Sequence, residues 1–399
     1  MIRMRHVVLL VLSLMSVCLS MLAQGQPLVY FVPGDSIVMW SPDGSDFRSL
    51  ALRVNPSLKS DEVNVDKWSK RDYARNVKYW NKWVRQEMDV TGGFPTMDVE
   101  RESECVAKSV RVAAQLFQSA PQASYIDAAE RMLMNYAMRS VMGDERGAGA
   151  QMMAKLLCDA AGWVYAVDSL NIYLNLFVNS TARITMGAHP VIIDQMTAVP
   201  HSNRVKIRVG GLSGGKIPFT LRIRIPDWVV GRNGYSQRFS FVEKVASDFC
   251  VYVNGREEEL PVENGYLVVQ RKWNSGDEVF FDLPLPIHHL EQVLDKTEGE
   301  ERIALQNGPW MYAASQQPEN VFYKMSSAVR VQGNYTPWGN AIIKGDGVKP
   351  MVSESEKYFP DSGQHMTVGK QCKKAAPIYL YPYVEGGTAV WLPVSATEK

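Results

Sequence analysis

PFTLRIRIPDW, the stretch Pro218–Trp228, decides how the second half of this 399-residue chain folds. Apolar residues at positions 221, 223 and 225 alternate there with polar residues at 220, 222 and 224. Successive side chains on a strand point to opposite faces, so the alternation predicts a strand with one buried face. Pro226 ends this strand, because proline has no N–H to donate to a neighbouring strand.

Further strands are predicted on the C-terminal side of this stretch. The run FCVYVNGREEEL contains Asn254-Gly255, the strongest short signal for a hairpin. GYLVVQRKW and DEVFFDLPLP follow, separated by a turn at Asn274–Asp277. Short, closely spaced strands with turn residues between them are typical of an antiparallel β-sandwich.

Upstream, the period of the apolar residues changes to that of a helix. A helix is predicted from Trp68 to Asp89, with Tyr73, Val77, Trp80 and Val84 along one stripe. Because helices precede the run of strands, the pattern predicts an α domain followed by β domains. The segment Gln26–Leu52 is predicted to be extended, Thr91-Gly92-Gly93 to end the first helix, and three more helices to run from about Glu104 to Gln118, from Pro121 to Gly143 and from Gln151 to Ala166.

Residues 1–23 have the features of a secretory signal. Arg3 and Arg5 precede an apolar run, and Ala23 is a small residue at the expected cleavage point. The apolar run is shorter than the roughly 20 residues that a membrane-spanning helix needs. A lipoprotein signal at Cys18 is the alternative, but the residues before Cys18 fit it poorly. The segment therefore predicts a periplasmic or secreted protein.

Composition excludes some classes of partner. The net charge of +1 gives no basis for binding nucleic acid or an anionic membrane. Cys105, Cys158, Cys250 and Cys372 remain once the signal is removed, and none forms a CxxC pair. Three disulfide connectivities stay open. Cys158 and Cys250 are expected to be buried thiols.

Five ordered motifs carry a resemblance to a known family. RIPDW, VYVNG, GYLVVQRKWNSGDEV, RIALQNGPWMYAA and KKAAPIYLYPYVEGGTAVWLPV resemble the β-sandwich region of glycoside hydrolase family 127, the β-L-arabinofuranosidases. YWNKWVRQEMDVTGG and YIDAAERMLMNYAM resemble helices of the same family. The resemblance runs from about Tyr79 to near the end of the chain. It implies an arabinose-containing, plant-type glycan as ligand.

The resemblance also implies a domain plan. The family's catalytic domain is a ring of paired helices, an (α/α) toroid of six-hairpin type, and this chain has room for only part of it. A partner chain or an oligomer would complete the ring. The expected organisation is a signal peptide (1–23), an extended segment (24–67), a remnant of the toroid (68–168), a β-sandwich domain (169–290) and a C-terminal β domain (291–399).

Site residues follow from the same resemblance. In the family, three cysteines and a glutamate hold zinc, one cysteine is the nucleophile, and a separate glutamate is the acid/base. Glu100 lies where the acid/base glutamate follows the TGG turn, and Cys105 matches one ligand cysteine. The ligand glutamate falls on Ser103, and a register shift of one residue would place Glu102 at the metal. Zinc is therefore expected to involve Cys105 and Glu102.

The family's cysteine pair is missing from this chain. Its positions, read back from the helix at Ala154, hold Ala148 and Gly149. Cys158 lies nearly three helical turns further on, about 15 Å away at 1.5 Å per residue. Neither alanine nor glycine is a nucleophile, so the family's mechanism is not expected to operate.

Each of these candidates also has a structural interpretation. Carboxylates at a helix start favour the positive end of the helix dipole, so Glu100 and its neighbours could cap the helix. Trp228 and Trp273 are expected to be core residues rather than sugar platforms. His288 and His289 are adjacent on a strand and point to opposite faces, so they are not expected to share a metal.

Three functional hypotheses remain open. The first is that the chain is a glycosidase in which Glu100 acts with another carboxylate such as Asp89 or Asp98, since paired carboxylates suffice in other glycosidases. Alternatively, it is a non-catalytic glycan-binding or scaffold protein that keeps the family's sandwich. The third hypothesis is a degenerate gene product with exposed apolar helix faces.

Overall fold

A computed structural model describes most of the chain after the first 28 residues. The described residues are 29–39, 46–61, 64, 69–95, 97–143, 147–197, 199, 201–212, 215–243, 249–293, 301–315, 321–324, 329–335, 341–359 and 364–394. The predicted signal segment, residues 1–23, lies outside these ranges. Among the described residues, no helix is long and apolar enough to cross a membrane.

Helices make up most of the first third of the described chain. Asp46, Ser69 and Asp98 each begin a helix by accepting a hydrogen bond from a backbone N–H in its first turn. The helices are α1 (Phe47–Val54), α2 (Lys70–Tyr79, continued by a π-helical turn Trp80–Val84), α3 (Val99–Ser119), α4 (Ala123–Arg131, continued by a π-helical turn Met132–Ala137), α5 (Met138–Met142), α6 (Ala148–Ala160) and the short α7 (Asp227–Val230).

The strands of the described chain begin before the helices and resume after them. They are β1 (Tyr30–Phe31), β2 (Ile37–Met39), β3 (Tyr165–Val167), β4 (Asn171–Leu174), β5 (Ser180–Met186), β6 (His189–Thr197), β7 (Arg204–Gly210), β8 (Ile217–Arg224), β9 (Phe239–Phe241), β10 (Val251–Val253), β11 (Arg256–Glu258), β12 (Val262–Glu263), β13 (Tyr266–Trp273), β14 (Glu278–Asp282), β15 (Ile287–Gln292), β16 (Arg302–Asn307), β17 (Trp310–Ala314), β18 (Phe322–Tyr323), β19 (Arg330–Tyr335), β20 (Ala341–Phe359), β21 (Gln364–Pro382) and β22 (Leu392–Pro393).

These strands form three sheets within the described part of the chain. The first has the order β1-β3-β4-β8-β13-β12, and the second has the order β11-β10-β14-β7-β6-β5-β2. The third follows the path β18-β20-β21-β17-β16-β15-β9, with β19 on β20 and β22 on β16. The first and second sheets meet where the Tyr165 hydroxyl lies 3.0 Å from the Ser180 hydroxyl and accepts a bond from Gln195. A β-sandwich requires two sheets that pack against each other, and this contact joins two of the sheets.

The predicted hairpin at Asn254-Gly255 is confirmed. β10 and β11 pair across Asn254-Gly255, where Asn254 has φ 52° and Gly255 has φ 75°. Positive φ at both central residues is the geometry that favours Asn-Gly in two-residue hairpins. β8 pairs with β13 along its whole length, and Pro226 lies just beyond its end.

Several sequence predictions about the helices need correction. The last predicted helix, Gln151–Ala166, begins earlier at Ala148 and ends at Ala160, and Tyr165 and Ala166 already belong to β3. The segment predicted to be extended does contain β1 and β2, but it also contains helix α1, which packs on α6. Because β1 and β2 join the first and second sheets, the order is not simply helices and then strands.

The prediction of one buried face on β8 is wrong. Leu221 and Ile223 are buried as predicted, but Arg224 on the other face is also fully buried. Its guanidinium donates to Asp127 and Glu130 on helix α4. The side of β8 that the sequence pattern assigned to solvent is thus covered by a helix carrying its counter-charges.

This ion cluster, Arg224 with Asp127 and Glu130, should govern stability. Replacing Arg224 by methionine leaves two buried carboxyls without their cation, which typically costs about 3–5 kcal/mol. Urea unfolding of Arg224→Met should therefore show a large loss in the free energy of unfolding. Arg208→Met is the control, because Arg208 pairs with Glu278 at a half-exposed position, and such pairs contribute about 1 kcal/mol or less. Equal losses in the two variants would contradict this prediction.

Candidate functional site

The turn Thr91-Gly92-Gly93 positions the candidate site. Gly92 has φ +79°, which side-chain-bearing residues rarely adopt, and an added β-carbon would lie 2.7 Å from the Cα of Met132. A β-carbon on Gly93 would collide with the carboxylate of Glu102 and with the ring of Tyr136. The two glycines therefore allow this turn to lie directly against helices α3 and α4.

Asp89 and Glu102 lie at the two ends of this turn, where the charge of Asp89 acts on Glu102, and they are called here the carboxyl pair. Glu102, in the first turn of α3, accepts hydrogen bonds from the backbone N–H of Phe94 and from the Tyr136 hydroxyl. Asp89 accepts a bond of 3.0 Å from the indole Nε1 of Trp391. Each carboxylate already has a donor from the protein.

The pKa values of both carboxyls are raised. Burial is the main cause for Glu102, its bonds from Phe94 and Tyr136 oppose the shift, and the charge of Asp89 adds to it. Burial also raises the pKa of Asp89, against the opposing bond from Trp391. Two neighbouring carboxyls with raised pKa values are a recognised sign of a functional site, although structural pairs show it too.

The C-terminal segment covers one side of the carboxyl pair. Arg139, in α5, donates to the carbonyls of Tyr383, Gly386 and Gly387, the latter two at 3.1 and 3.0 Å. Its guanidinium also lies 4.2 Å from the centre of the Tyr383 ring. Burial raises the pKa of Tyr383, and the charges of Glu102 and Asp89 contribute. Residues nearly 300 positions apart in sequence thus share this site.

The structure places the sequence-predicted residues in different surroundings. Glu100 is exposed on the outer side of the first turn of α3, and Asp98 caps that helix. Cys105 is buried, with its Sγ 3.4 Å from the Tyr79 hydroxyl. Burial raises the pKa of the Cys105 thiol, which is therefore protonated at neutral pH. Glu102, by contrast, faces the TGG turn.

Zinc does not fit the donors that the described residues offer. Among them, no group of three or more His, Cys, Asp or Glu side chains could hold a metal, and zinc normally takes four ligands. Ser103, which the sequence resemblance matches to the family's ligand glutamate, is fully buried and lies 3.3 Å from the Tyr136 hydroxyl. A β-carbon on Gly149, which the resemblance matches to one of the family's cysteines, would approach Ser103 Oγ to 2.9 Å. These matched positions do meet in space, but they carry neither charge nor thiol.

The other candidates are structural. Trp228 and Trp273 are buried, and the indole nitrogen of Trp228 donates to Glu130. His288 bonds the Trp228 carbonyl, whereas His289 lies between Glu243 and Tyr323. Cys105, Cys158 and Cys250 are free thiols; Cys158 is buried as predicted, but Cys250 is exposed, so that prediction is wrong. The side chain of Cys372 lies outside the described residues.

Only a weak signal for the carboxyl pair is present in the sequence. The sequence predictions place Asp89 near Glu100 along the chain and make Glu102 a metal ligand. Their pairing depends on the TGG turn folding back onto α3, and Trp391 and Tyr383 come from the far end of the chain. Helical spacing could have suggested that Glu102, rather than Glu100, faces inward, since it lies one turn before the buried Cys105 and Val106.

Comparison with known proteins supports the resemblance seen in the sequence. Residues 171–285 match the family model described as the middle domain of the GH127 β-L-arabinofuranosidases. No curated protein matches the chain. The resemblance to glycoside hydrolase family 127 is thereby confirmed for the stretch that the family model matches.

Three solved structures share the fold. A GH127 β-arabinofuranosidase aligns with a TM-score of 0.65 and 20% identity, over 88% of this chain and 59% of its own. A GH127 β-L-arabinofuranosidase from Geobacillus stearothermophilus T6 aligns with a TM-score of 0.63 and 18% identity, over 88% and 59%. A third structure, described as a glycoside hydrolase, aligns with a TM-score of 0.61 and 17% identity, over 88% and 65%. The chain thus spans about three fifths of the length of these proteins.

The geometry of the turn leads to a prediction about Gly92. Gly92→Ala should lower the free energy of unfolding by about 2 kcal/mol or more, because positive φ and a backbone clash act together. Gly187→Ala is the matched control, since Gly187 has φ +60° but nothing within 4 Å of an added β-carbon. Thermal unfolding of both variants measures the difference. A loss in Gly92→Ala no larger than in Gly187→Ala would show that the turn is not tightly packed.

The carboxyl pair leads to a prediction about pH. A carboxyl whose pKa is raised by folding adds stability below its unfolded pKa, about 4.3 for glutamate, and this stability is lost as the pH rises through the folded pKa. Glu102→Gln removes the charge, so the variant should lose less stability than the wild type between about pH 4 and neutral pH. Denaturant unfolding across this pH range measures the free energy of unfolding of the wild type and of the variant. Glu100→Gln, an exposed change on the same helix, is the control and should show the same pH dependence of stability as the wild type. If Glu102→Gln also shows that pH dependence, the prediction is refuted.

Proposed function

We propose, from the match of residues 171–285 to the GH127 middle domain, that the protein is an exported glycoside hydrolase-like protein that acts on or binds arabinose-containing glycans. The family match is the observation that carries this proposal. The shared fold over 88% of the chain supports it, because the solved structures that align are described as GH127 β-arabinofuranosidases or as a glycoside hydrolase.

The proposal includes the domain plan and the location of the protein. We assign residues 68–168 to a remnant of an (α/α) toroid, 169–290 to a β-sandwich domain and 291–399 to a C-terminal β domain. Residues 1–23 would direct export to the periplasm or beyond the cell. A partner chain or a second copy would complete the helical ring. The mass of the N-terminal peptide of the exported protein tests the cleavage after Ala23.

Any hydrolysis is placed at the carboxyl pair rather than at a metal-bound thiolate, because the described residues do not supply the ligands for zinc. Glu102, with its raised pKa, would donate its proton to the glycosidic oxygen as the anomeric C–O bond breaks. Asp89 would take a proton from the water whose oxygen bonds to the anomeric carbon. This is the division of roles between two carboxyls in inverting glycosidases.

A second candidate is a non-catalytic glycan-binding protein. One observation favours it: both members of the carboxyl pair accept hydrogen bonds within the protein, from Phe94 and Tyr136 and from Trp391. A carboxylate held in this way is well suited to orienting a turn and less free to transfer protons. Under this candidate, the Trp391 segment and the TGG turn would contribute to a sugar-binding surface.

Hydrolysis of a chromogenic β-L-arabinofuranoside separates these candidates. If the carboxyl pair is catalytic, Glu102→Gln should lower kcat/KM by at least about 100-fold, the usual contribution of a general acid, while Glu100→Gln should retain wild-type turnover. Loss of turnover in Glu100→Gln alone would instead restore the role that the sequence assigned to Glu100.

Absence of turnover in the well-folded wild type would favour the binding candidate. Calorimetric titration with arabino-oligosaccharides then decides whether the protein binds glycans. Heat of binding that is lost in Trp391→Ala would support that candidate. Neither turnover nor binding with any of these ligands would overturn the proposed function as a whole.

A further inference from the structure

Two adjacent histidines on β15, His288 and His289, differ in how their rings are hydrogen-bonded. One ring nitrogen of His289 bonds the carboxylate of Glu243, and the other lies 2.9 Å from the Tyr323 hydroxyl. A carboxylate accepts a hydrogen bond, and a hydroxyl can either donate or accept one. The ring of His289 therefore keeps two partners whether it is neutral or carries a second proton.

His288 points to the other face of the strand, where it is fully buried. Its Nε2 lies 2.7 Å from the Trp228 carbonyl, which can only accept, so Nε2 carries the proton and donates. Among the described residues, its Nδ1 has no hydrogen-bond partner. The ring of Phe241 packs against the imidazole, with ring centres 4.9 Å apart. These surroundings suit the neutral ring, because a proton on Nδ1 would be buried without an acceptor.

The charge of Asp227, on α7, acts on His288 but is already engaged by other groups. Its carboxylate accepts a bond of 3.1 Å from the Tyr235 hydroxyl and lies 3.5 Å from the guanidinium of Arg131. Asp227 therefore favours a protonated His288 only from a distance.

Glu243 and His289 are the other groups whose charges act on His288. The carboxylate of Glu243 is held by the backbone N–H and by the ring of His289. Glu243 and Asp227 favour the protonated form of His288, and His289 opposes it. Burial is the largest effect, and it lowers the pKa of His288.

His288 also lies where the third sheet meets α7. The register of β15 on β16 places His288 opposite Gln306. Gln306 accepts a bond of 2.7 Å from Arg131, which also donates to the carbonyl of Val90 beside the TGG turn. Asp227 of α7 pairs with the same arginine. The two elements that His288 joins therefore both contact the arginine that holds this turn.

We propose that His288 is an acid-sensitive joint between the third sheet and α7, which loosens when the ring takes up a second proton. A proton on Nδ1 creates a buried cation without an acceptor, and this cation gains hydration only if β15 separates from α7. The inference goes beyond the proposed function and does not depend on it, because it concerns how the fold responds to pH.

The pH dependence of stability has a defined sign. A histidine whose pKa is lowered by folding stabilises the fold above its unfolded pKa, about 6.5, and this stability is lost as the pH falls towards the folded pKa. His288→Gln can still donate to the Trp228 carbonyl but does not titrate. Denaturant unfolding between pH 7 and pH 5 should therefore show a smaller acid-induced loss of stability in His288→Gln than in the wild type.

Hydrogen exchange measured by mass spectrometry locates the loosening. After correction for the intrinsic pH dependence of exchange, the opening equilibrium of β15 and α7 in the wild type should rise roughly tenfold from pH 7 to pH 5. The rise should be smaller in His288→Gln. His189→Gln, an exposed change on β6, is the matched control and should behave as the wild type does.

Nitrogen-15 NMR of the wild type gives a test that requires no variant. At pH 6 the folded protein should show His288 as the neutral tautomer protonated on Nε2. A doubly protonated His288 at that pH would overturn the inference. Equal acid-induced losses in the wild type and His288→Gln would also overturn it, as would acid-induced exchange that spares β15 and α7. None of these measurements uses a glycan, so the proposed function is tested separately.

Discussion

The buried guanidinium of Arg224 joins the helical part of the chain to the first sheet. It lies on β8, is fully buried, and donates to Asp127 and Glu130 on α4 and to the carbonyl of Asn175. Burying a charge is tolerable only when it is paired and hydrogen-bonded. The register of α4 on the sheet is therefore restricted to positions that bring both carboxylates to this arginine.

Much of the site depends on that placement of α4. The next residue, Arg131, donates to Tyr235, to Gln306 of the third sheet and to the carbonyl of Val90, which lies beside the TGG turn. Met132, the residue after it, lies where Gly92 approaches, and Tyr136, about one turn further, reaches Glu102 and Ser103. One helix thus links the sheets to the turn that holds the carboxyl pair.

Two positions that the family resemblance matches to metal ligands hold a serine and a glycine in this chain. These positions, Ser103 and Gly149, lie so close together that an added β-carbon on Gly149 would approach Ser103 Oγ to 2.9 Å, and the serine hydroxyl bonds Tyr136. The carboxyl groups of the site are instead those of Asp89 and Glu102. The contacts that join α4 to the sheets are ion pairs and hydrogen bonds between buried side chains.

Local pattern was sufficient for much of this fold. Alternation predicted β8, Asn254-Gly255 predicted the hairpin, and the apolar stripe predicted α2, because strand and helix periods and turn preferences are properties of neighbouring residues. The resemblance to GH127 could also be seen from sequence motifs alone.

Sequence alone could not show that Arg224 is buried, that Cys250 is exposed, or that Glu102 rather than Glu100 lies at the turn beside Asp89. Those outcomes depend on which distant element covers a residue: α4 covers β8, and the Tyr383–Trp391 segment covers the carboxyl pair. Burial, and with it the pKa of a carboxyl, is set by such contacts, so only the tertiary structure decided where the chemistry of this protein can lie.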